Sequence, residues 1–575
     1  GLGLWEENTR ILRSKNNSKF MKANSHYINR FFLIAVFLFS GVCSAFASQK
    51  EVADKIRFIL ETDQPQRKLE VRGLPLLTSS EIHTLYGARE FNPVWSFNGE
   101  LTEFAYEMRY EIIQSKYDGL NPEEYNLKLI QTYFEAFESN KKKKNANDFS
   151  DLADFDLLLT DAFFKLVTHL EVGKVDPSSL KSNWGIEPIQ KQLDYIELLH
   201  TALMRKEIRP VIQSVYPKFE IYRKGREVVR NLESIAKNDS LDWKPVKENK
   251  SIKVGETNSA IPALRDRLIF WGYLVGSTVA DKSSKLYDSL LFEAVKRYQA
   301  DNGLEADGIL GKMTLEALNQ SPKSLIDKAS VNLERLRWLP DTIQNSTYIL
   351  VNIANFELDF IDNRDTLFSE KVIVGQPYHQ SPVFSAQMSY IVFSPYWNIP
   401  YSIMRNETLP AIRKNPSYLT RNNMEVITRS GKYVDPSTVD FSSKSFPYLI
   451  RQKPGQNNSL GLVKFMFPNK YSVYIHDTPT RNLFEKEERA LSHGCIRLKN
   501  PTQLAQLLLK NNQDWDSQKI EKAMNQPREQ IVNLDKKIPV ILVYLTFWAD
   551  SNGKGHFRSD IYQRDSEILA ALRSF

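Results

Sequence analysis

Apolar residues recur every three or four positions through "LTEFAYEMRYEIIQ" (101–114) and "LADFDLLLTDAFFKLVTHL" (152–170). That is the spacing of one buried helical face. The same polar-faced pattern runs from about Lys50 to Lys250 and predicts a mainly helical scaffold domain at 48–250. Residues 258–322 predict a compact helical module. "IPALRDRLIFWGYL" aligns Leu264, Leu268 and Trp271, and "LFEAVKRYQADNG" aligns Leu291, Val295 and Tyr298 before stopping at Gly303. An Asp307–Gly308 turn then leads into a third short helix. A linker helix is expected at 323–345. Beyond it the period drops to two in "YILVNIANFELDFIDN", "YSVYIHDTP" and the late apolar "IPVILVYLTFWAD", which predicts a mostly β domain at 346–570. The chain therefore reads as α+β multidomain. Between Tyr401 and Gly461 the periodicity is weak, and a loop that long inside a β domain is usually functional. We read about 402–455 as an inserted lid with little core of its own.

Charge changes the picture only by where it sits. The net charge is +7, but residues 1–47 hold six basic side chains against Glu6 and Glu7, leaving +3 for the rest. That excludes the basic footprint of a nucleic-acid binder. The N-terminal basic residues flank "FFLIAVFLFSGVCSAFA", which ends in the small residues Ala45 and Ala47. Residues 21–47 have the form of an export signal cleaved after Ala47, the alternative being an uncleaved anchor. Membrane contact is expected only through this segment, if uncleaved. An exported protein sits where disulfides form, yet beyond Ala47 the only cysteine is Cys495.

Cys495 stands in "LSHGCIRLKN". Alternation in "YSVYIHD" puts Val473 and Ile475 on one face and Tyr474 and His476 on the other. A return of the chain through 477–491 can lay Cys495 and His493 against that second face. A free thiol is only a few per cent ionised at neutral pH, and a neighbouring imidazole can take its proton. Backbone N–H groups near Gly494 and Cys495 offer an oxyanion site. Rival readings are a structural cysteine, a zinc site built on His476, His493 and Cys495, and a papain-like hydrolase, although there the cysteine usually precedes the histidine.

His476, a fifteen-residue spacer and then "SHGCIR" resemble the signature of the L,D-transpeptidases. Composition predicts His-Gly-Cys by chance about 0.001 times in this chain. Asp307, Gly308, Gly311 and Thr314 resemble the D-G-x-x-G-x-x-T half of a three-helix peptidoglycan-binding module, while "YDSLLFEAV" departs from its first half. A plain three-helix spacer is the alternative there. With "RWLP" and "DIYQRD", the layout resembles the large multidomain branch of the family.

The resemblance implies a periplasmic enzyme that cross-links peptidoglycan stem peptides, contributes to cell shape and is acylated by carbapenems. Cys495 would be the nucleophile and His476 the proton acceptor and donor. His493 and Gly494 would shape the oxyanion site, Arg497 would brace the loop, and Tyr474, Trp397 and Asn398 would line the substrate pocket. No metal or cofactor is expected; the expected partners are stem peptides and other cell-wall synthesis proteins. The alternatives are an L,D-carboxypeptidase or endopeptidase at the same site, or a non-catalytic wall-binding scaffold.

Overall fold

The computed structural model describes residues 48–62, 69–143, 145–182, 184–187, 193–248, 250–341, 346–443 and 445–574. The predicted signal at 21–47 lies outside them. Among the described residues no helix is long and apolar enough to cross a membrane. The chain forms two units. One takes the described residues up to Lys116, with Asn121–Leu170 and Gln192–Tyr216; the other takes Tyr117–Leu120, Glu171–Lys191 and Pro217–Phe575.

The first unit is helical, as its periodicity predicts. Its centre is the helix Phe149–Val172, buried on nearly every side. Two acids on it are buried and accept hydrogen bonds from distant segments. Asp156 accepts from the Tyr86 hydroxyl at 2.6 Å and from the Val94 and Trp95 amides at 2.7 and 2.8 Å. Asp161 accepts from the Leu77 and Thr78 amides at 2.8 and 2.9 Å. Buried carboxylates need such donors, and here they pin irregular segments onto the helix.

The predicted scaffold at 48–250 is divided in the structure. Its last helix, Glu220–Ala236, belongs to the second unit because its apolar stripe of Tyr222, Val228, Val229 and Leu232 packs there. Gly225 permits this: a Cβ at that position would lie 3.0 Å from Leu333 and 3.4 Å from Phe547. The predicted linker helix is a core element. Pro322–Arg337 buries even Asn332, Glu334, Arg335 and Arg337, with Arg335 2.6 Å from Asp565 and Arg337 paired with Glu334. Residues 342–345 of that prediction lie outside the described set.

The module at 258–322 consists of the helices Ile261–Phe270, Ser289–Asp301 and Lys312–Leu318 around one apolar core. Its motif residues surround buried Gln299. The Gln299 amide donates to Asp307, to the Ile309 carbonyl and to Thr314 at 2.9 to 3.1 Å, and accepts from the Gly308 amide at 2.8 Å. Gly308 has φ +71, and a Cβ there would strike Phe292 at 2.1 Å, so only glycine fits.

The C-terminal domain is built on nine strands: β1 (Thr347–Asn352), β2 (Glu357–Asp362), β3 (Asp365–Gly375), β4 (Val383–Phe393), β5 (Val463–Met466), β6 (Ile475–His476), β7 (Ala490–Ser492), β8 (Ile496–Leu498) and β9 (Gln530–Val543). Their order is β5-β6-β8-β3-β2-β1-β9-β4, the short strand Trp184–Gly185 adds in parallel to β4, and β4 pairs again with β5, so the sheet closes into a ring. β7 pairs in parallel with β3 outside the ring.

The insertion departs from the loop expected at about 402–455. Trp397–Asn398, Met424–Ile427, Tyr433–Val434 and Leu449–Gln452 form their own four-stranded sheet. Met404, Leu409, Ile412, Leu419, Val426 and Ile450 form an apolar core beneath it. The periodicity was weak because the helical segments, such as Leu409–Lys414 and Tyr418–Arg421, are too short to repeat a 3.6-residue period.

Candidate active site

β6 and β8 lie side by side in parallel, with Ile475 paired to Ile496 and His476 to Arg497. Ile475, Ile496 and Leu498 fill the core. Alternation therefore turns Tyr474 and His476 from one strand, and Cys495 and Arg497 from the other, onto one common face. The chain returns through 477–491, placing Cys495 beside Tyr474 one step along from the His476–Arg497 pair. The Ile496 amide donates to the Tyr474 carbonyl at 3.1 Å, locking this register.

His476 is 5% exposed. Its Nδ1 lies 2.6 Å from the Asp477 carbonyl oxygen, which can only accept, so Nδ1 carries the proton and Nε2 keeps a free lone pair. Asp477 is itself fixed: its carboxylate accepts from the Leu462 and Thr478 amides at 2.8 and 2.7 Å and pairs with Arg481. Gly461, at φ +61, leaves room for it; a Cβ there would lie 2.3 Å from the Asp477 side chain. Burial, then the Arg497 charge and Lys464, push the His476 imidazole down to about 3. Burial also pushes the Cys495 thiol up, opposed by hydrogen bonds from Tyr474 and by Arg497. The resting pair is thus neutral thiol and neutral imidazole.

The cysteine loop is shaped from within by Ser492 and Gly494 and from distant segments by Ser381 and Tyr562. Gly494 has φ +114, a conformation open to glycine alone. Its amide donates to Ser492 Oγ at 3.0 Å, and Ser492 Oγ donates to the Cys495 carbonyl at 2.6 Å. The Gly494 N–H expected as an oxyanion donor is therefore already engaged. Ser381 Oγ donates to the Gly494 carbonyl at 2.8 Å and accepts from the Gly375 amide at 2.9 Å. The Tyr562 hydroxyl, in the "DIYQRD" segment, donates to the Gly375 carbonyl and accepts from the Ser381 amide at 3.2 Å. Ser381→Ala strips two buried backbone groups of their partner. It is expected to cost about 1–3 kcal/mol in urea unfolding and to slow acylation with little change in KM; a variant with full stability and rate would show the brace to be idle.

The remaining candidates stand on other elements. His493 points outward, 43% exposed, with Nε2 3.3 Å from Glu407 of the insertion and its ring 5.3 Å from that of His379. Trp397 and Asn398 pair with Gln452 and Arg451 in the insertion's sheet, and Trp397 packs on that core. Among the described residues no three His, Cys, Asp or Glu side chains are grouped to hold a metal ion. Sequence reasoning missed Ser381, Tyr562 and Lys464; none has a local signal, because each reaches the site through strand register or a distant loop.

Comparison with known proteins adds the family. Residues 346–521 match the L,D-transpeptidase catalytic domain, 80–228 a scaffold domain and 257–318 a peptidoglycan binding domain. A Haemophilus influenzae protein that carries a provisional L,D-transpeptidase name is 30% identical over 332 residues, covering 54% of this chain and 67% of that protein. Solved L,D-transpeptidases are matched far more loosely. That of Stackebrandtia nassauensis is 16% identical over 52% of this chain and 97% of its own, at a TM-score of 0.19. L,D-transpeptidase 1 of Mycobacterium tuberculosis is 12% identical over 34% and 61%, at 0.15. These scores are too low to add to the assignment, which rests on the domain matches and the Haemophilus relative. The matches to the catalytic, scaffold and peptidoglycan binding domains, with the Haemophilus relative, show that the chain belongs to the L,D-transpeptidase family.

Proposed function

We propose that the enzyme cross-links peptidoglycan stems through meso-diaminopimelate, using a thioester on Cys495. The observation that supports this reading is the face shared by β6 and β8, which carries both His476, with its Nε2 free, and Cys495, the free cysteine of the described residues. His476 takes the thiol proton as sulfur attacks the diaminopimelate carbonyl of a tetrapeptide stem. It returns that proton to the leaving nitrogen, and D-alanine departs. The side-chain amine of a second stem then attacks the thioester and gives its proton to His476; the C–S bond breaks, and the Cys495 thiolate takes that proton back. With the Gly494 amide engaged, the Cys495 N–H is the backbone donor we assign to the oxyanion, a role worth about a hundredfold or more. The export signal at 21–47 would deliver the enzyme to the periplasm, where carbapenems would acylate the same thiol. The test is the product spectrum of the purified enzyme on tetrapeptide muropeptides: cross-linked dimers support this reading, and tripeptide alone makes the protein a hydrolase.

The folded insertion fits a cover. Its Glu407 lies 3.3 Å from His493, two residues from the nucleophile. A thioester must be kept from water until the acceptor arrives. Replacing residues 403–447 with a short Gly–Ser linker is expected to leave acylation of Cys495 in place but to raise the ratio of hydrolysed to cross-linked product by about tenfold. An unchanged ratio at equal acyl-enzyme would assign the insertion to docking.

A further inference from the structure

Strand register places three side chains in line across the active face. Lys464 on β5 is the antiparallel partner of His476 on β6, and Arg497 on β8 is its parallel partner. Directly paired residues share a face, with strands about 4.8 Å apart. The alternation on β5 agrees, since Val463 and Phe465 are fully buried in the core while Lys464 is half-buried on the other side. The base is thus flanked by an ammonium on one side and a guanidinium on the other. Glu529 is the acid that acts on Lys464, and its carboxylate also accepts from the Tyr396 amide at 3.3 Å. Arg497 is influenced by burial and by Cys495.

Two cations beside a base do nothing for proton abstraction; they disfavour the imidazolium that must form. Their placement makes sense if an anion enters between them during the reaction. The proposed chemistry supplies one. As the C–S bond forms and the C–N bond breaks, the nitrogen takes the proton held by His476 and leaves as the amine of an amino acid. That amine's own carbon bears a carboxylate. Because the imidazole must reach the nitrogen, the carboxylate lies next to the imidazole, where the row of cations stands.

We propose that Lys464 and Arg497 form a carboxylate subsite that straddles His476 and holds the free α-carboxylate of the amino acid whose nitrogen the base serves. The inference rests on the proposed acyl transfer and names what that site recognises. The same subsite serves both half-reactions. D-Alanine leaves as a D-centre bearing amine and carboxylate, and the acceptor end of meso-diaminopimelate is a D-centre bearing the same two groups. A seated carboxylate also neutralises the row, so the imidazole becomes more basic when a proper donor is bound. Its depressed resting pKa is then the empty-site state, not the working one.

The test compares two donors on the full-length protein: a disaccharide-tetrapeptide ending in D-alanine, and the same compound with its terminal carboxylate converted to carboxamide. Acylation of Cys495 is followed by intact mass. Charge-assisted hydrogen bonds of this kind give the wild type an expected preference for the carboxylate of about 10–100-fold in kcat/KM. Lys464→Gln should reduce that preference at least about threefold, through KM and with little change in Tm, and Lys464→Arg should restore it. Should Lys464→Gln fail to fold, Lys464→Met replaces it, the aliphatic stem being kept. A Lys464→Gln enzyme with wild-type preference, or a wild type that uses both donors equally, overturns the subsite and leaves the acyl transfer standing. Acylation of the wild type by neither donor overturns both.

Discussion

Replacing Cys495 with alanine is expected to abolish cross-linking and D-alanine release while leaving the fold intact. The sulfur lies in the active face, not in the core, and the contact it makes to the Ser472 carbonyl is a weak one at 3.9 Å. Removing it therefore opens no core cavity, and the change in unfolding free energy should stay within about 1 kcal/mol. The rate is a different matter. Without the nucleophile no thioester forms, and the remaining groups can only position substrate for water. A loss of at least about 10³-fold follows. Muropeptide analysis beside a urea melt reads both quantities. An unfolded variant would make the thiol a structural element, and one that still cross-links would remove it from the chemistry.

His476→Gln should slow acylation by about 10²–10⁴-fold, the usual worth of a positioned general base. The same variant has a stability signature with a fixed sign. The folded protein holds His476 neutral down to about 3, whereas the unfolded chain protonates it near the ordinary value of about 6.5. Between those limits the unfolded state binds more protons. Wild-type stability from this group is therefore fully present above the unfolded pKa and is lost as pH falls toward the folded one, at about 1.4 kcal/mol per pH unit. His476→Gln removes this dependence. Relative to wild type it should gain about 2–3 kcal/mol between pH 7 and pH 4.5 in urea unfolding. Equal pH dependence in the two proteins would mean that His476 is not held neutral, and the assignment of its Nε2 as the base would lose its support.

What the sequence disclosed follows from which contacts are local. The face shared by Tyr474 and His476 is a property of one strand, and alternation alone revealed it. The helical scaffold and the module at 258–322 were legible for the same reason, since each helix writes its own period. The parallel pairing of β6 with β8 is set by a crossover, so Arg497 appeared in the sequence as a loop brace and stands in the structure beside the base. Lys464 was invisible because its neighbour is twelve positions away across an antiparallel pair. Ser381 and Tyr562 reach the cysteine loop from still further along the chain. The core of the insertion escaped notice because its apolar residues are spread over segments too short to show a period.

The proposed acyl transfer requires one intermediate, a thioester on Cys495, and its detection is the most direct test. Purified enzyme is incubated with disaccharide-tetrapeptide without acceptor, quenched in acid, and its intact mass and mapped peptides are measured alongside free D-alanine. The expected result is a disaccharide-tripeptide adduct on Cys495, labile to hydroxylamine as a thioester is, with one D-alanine released per adduct. Release of D-alanine by both the wild type and Cys495→Ala, with no adduct on either, would contradict a cysteine thioester and move the chemistry to another group.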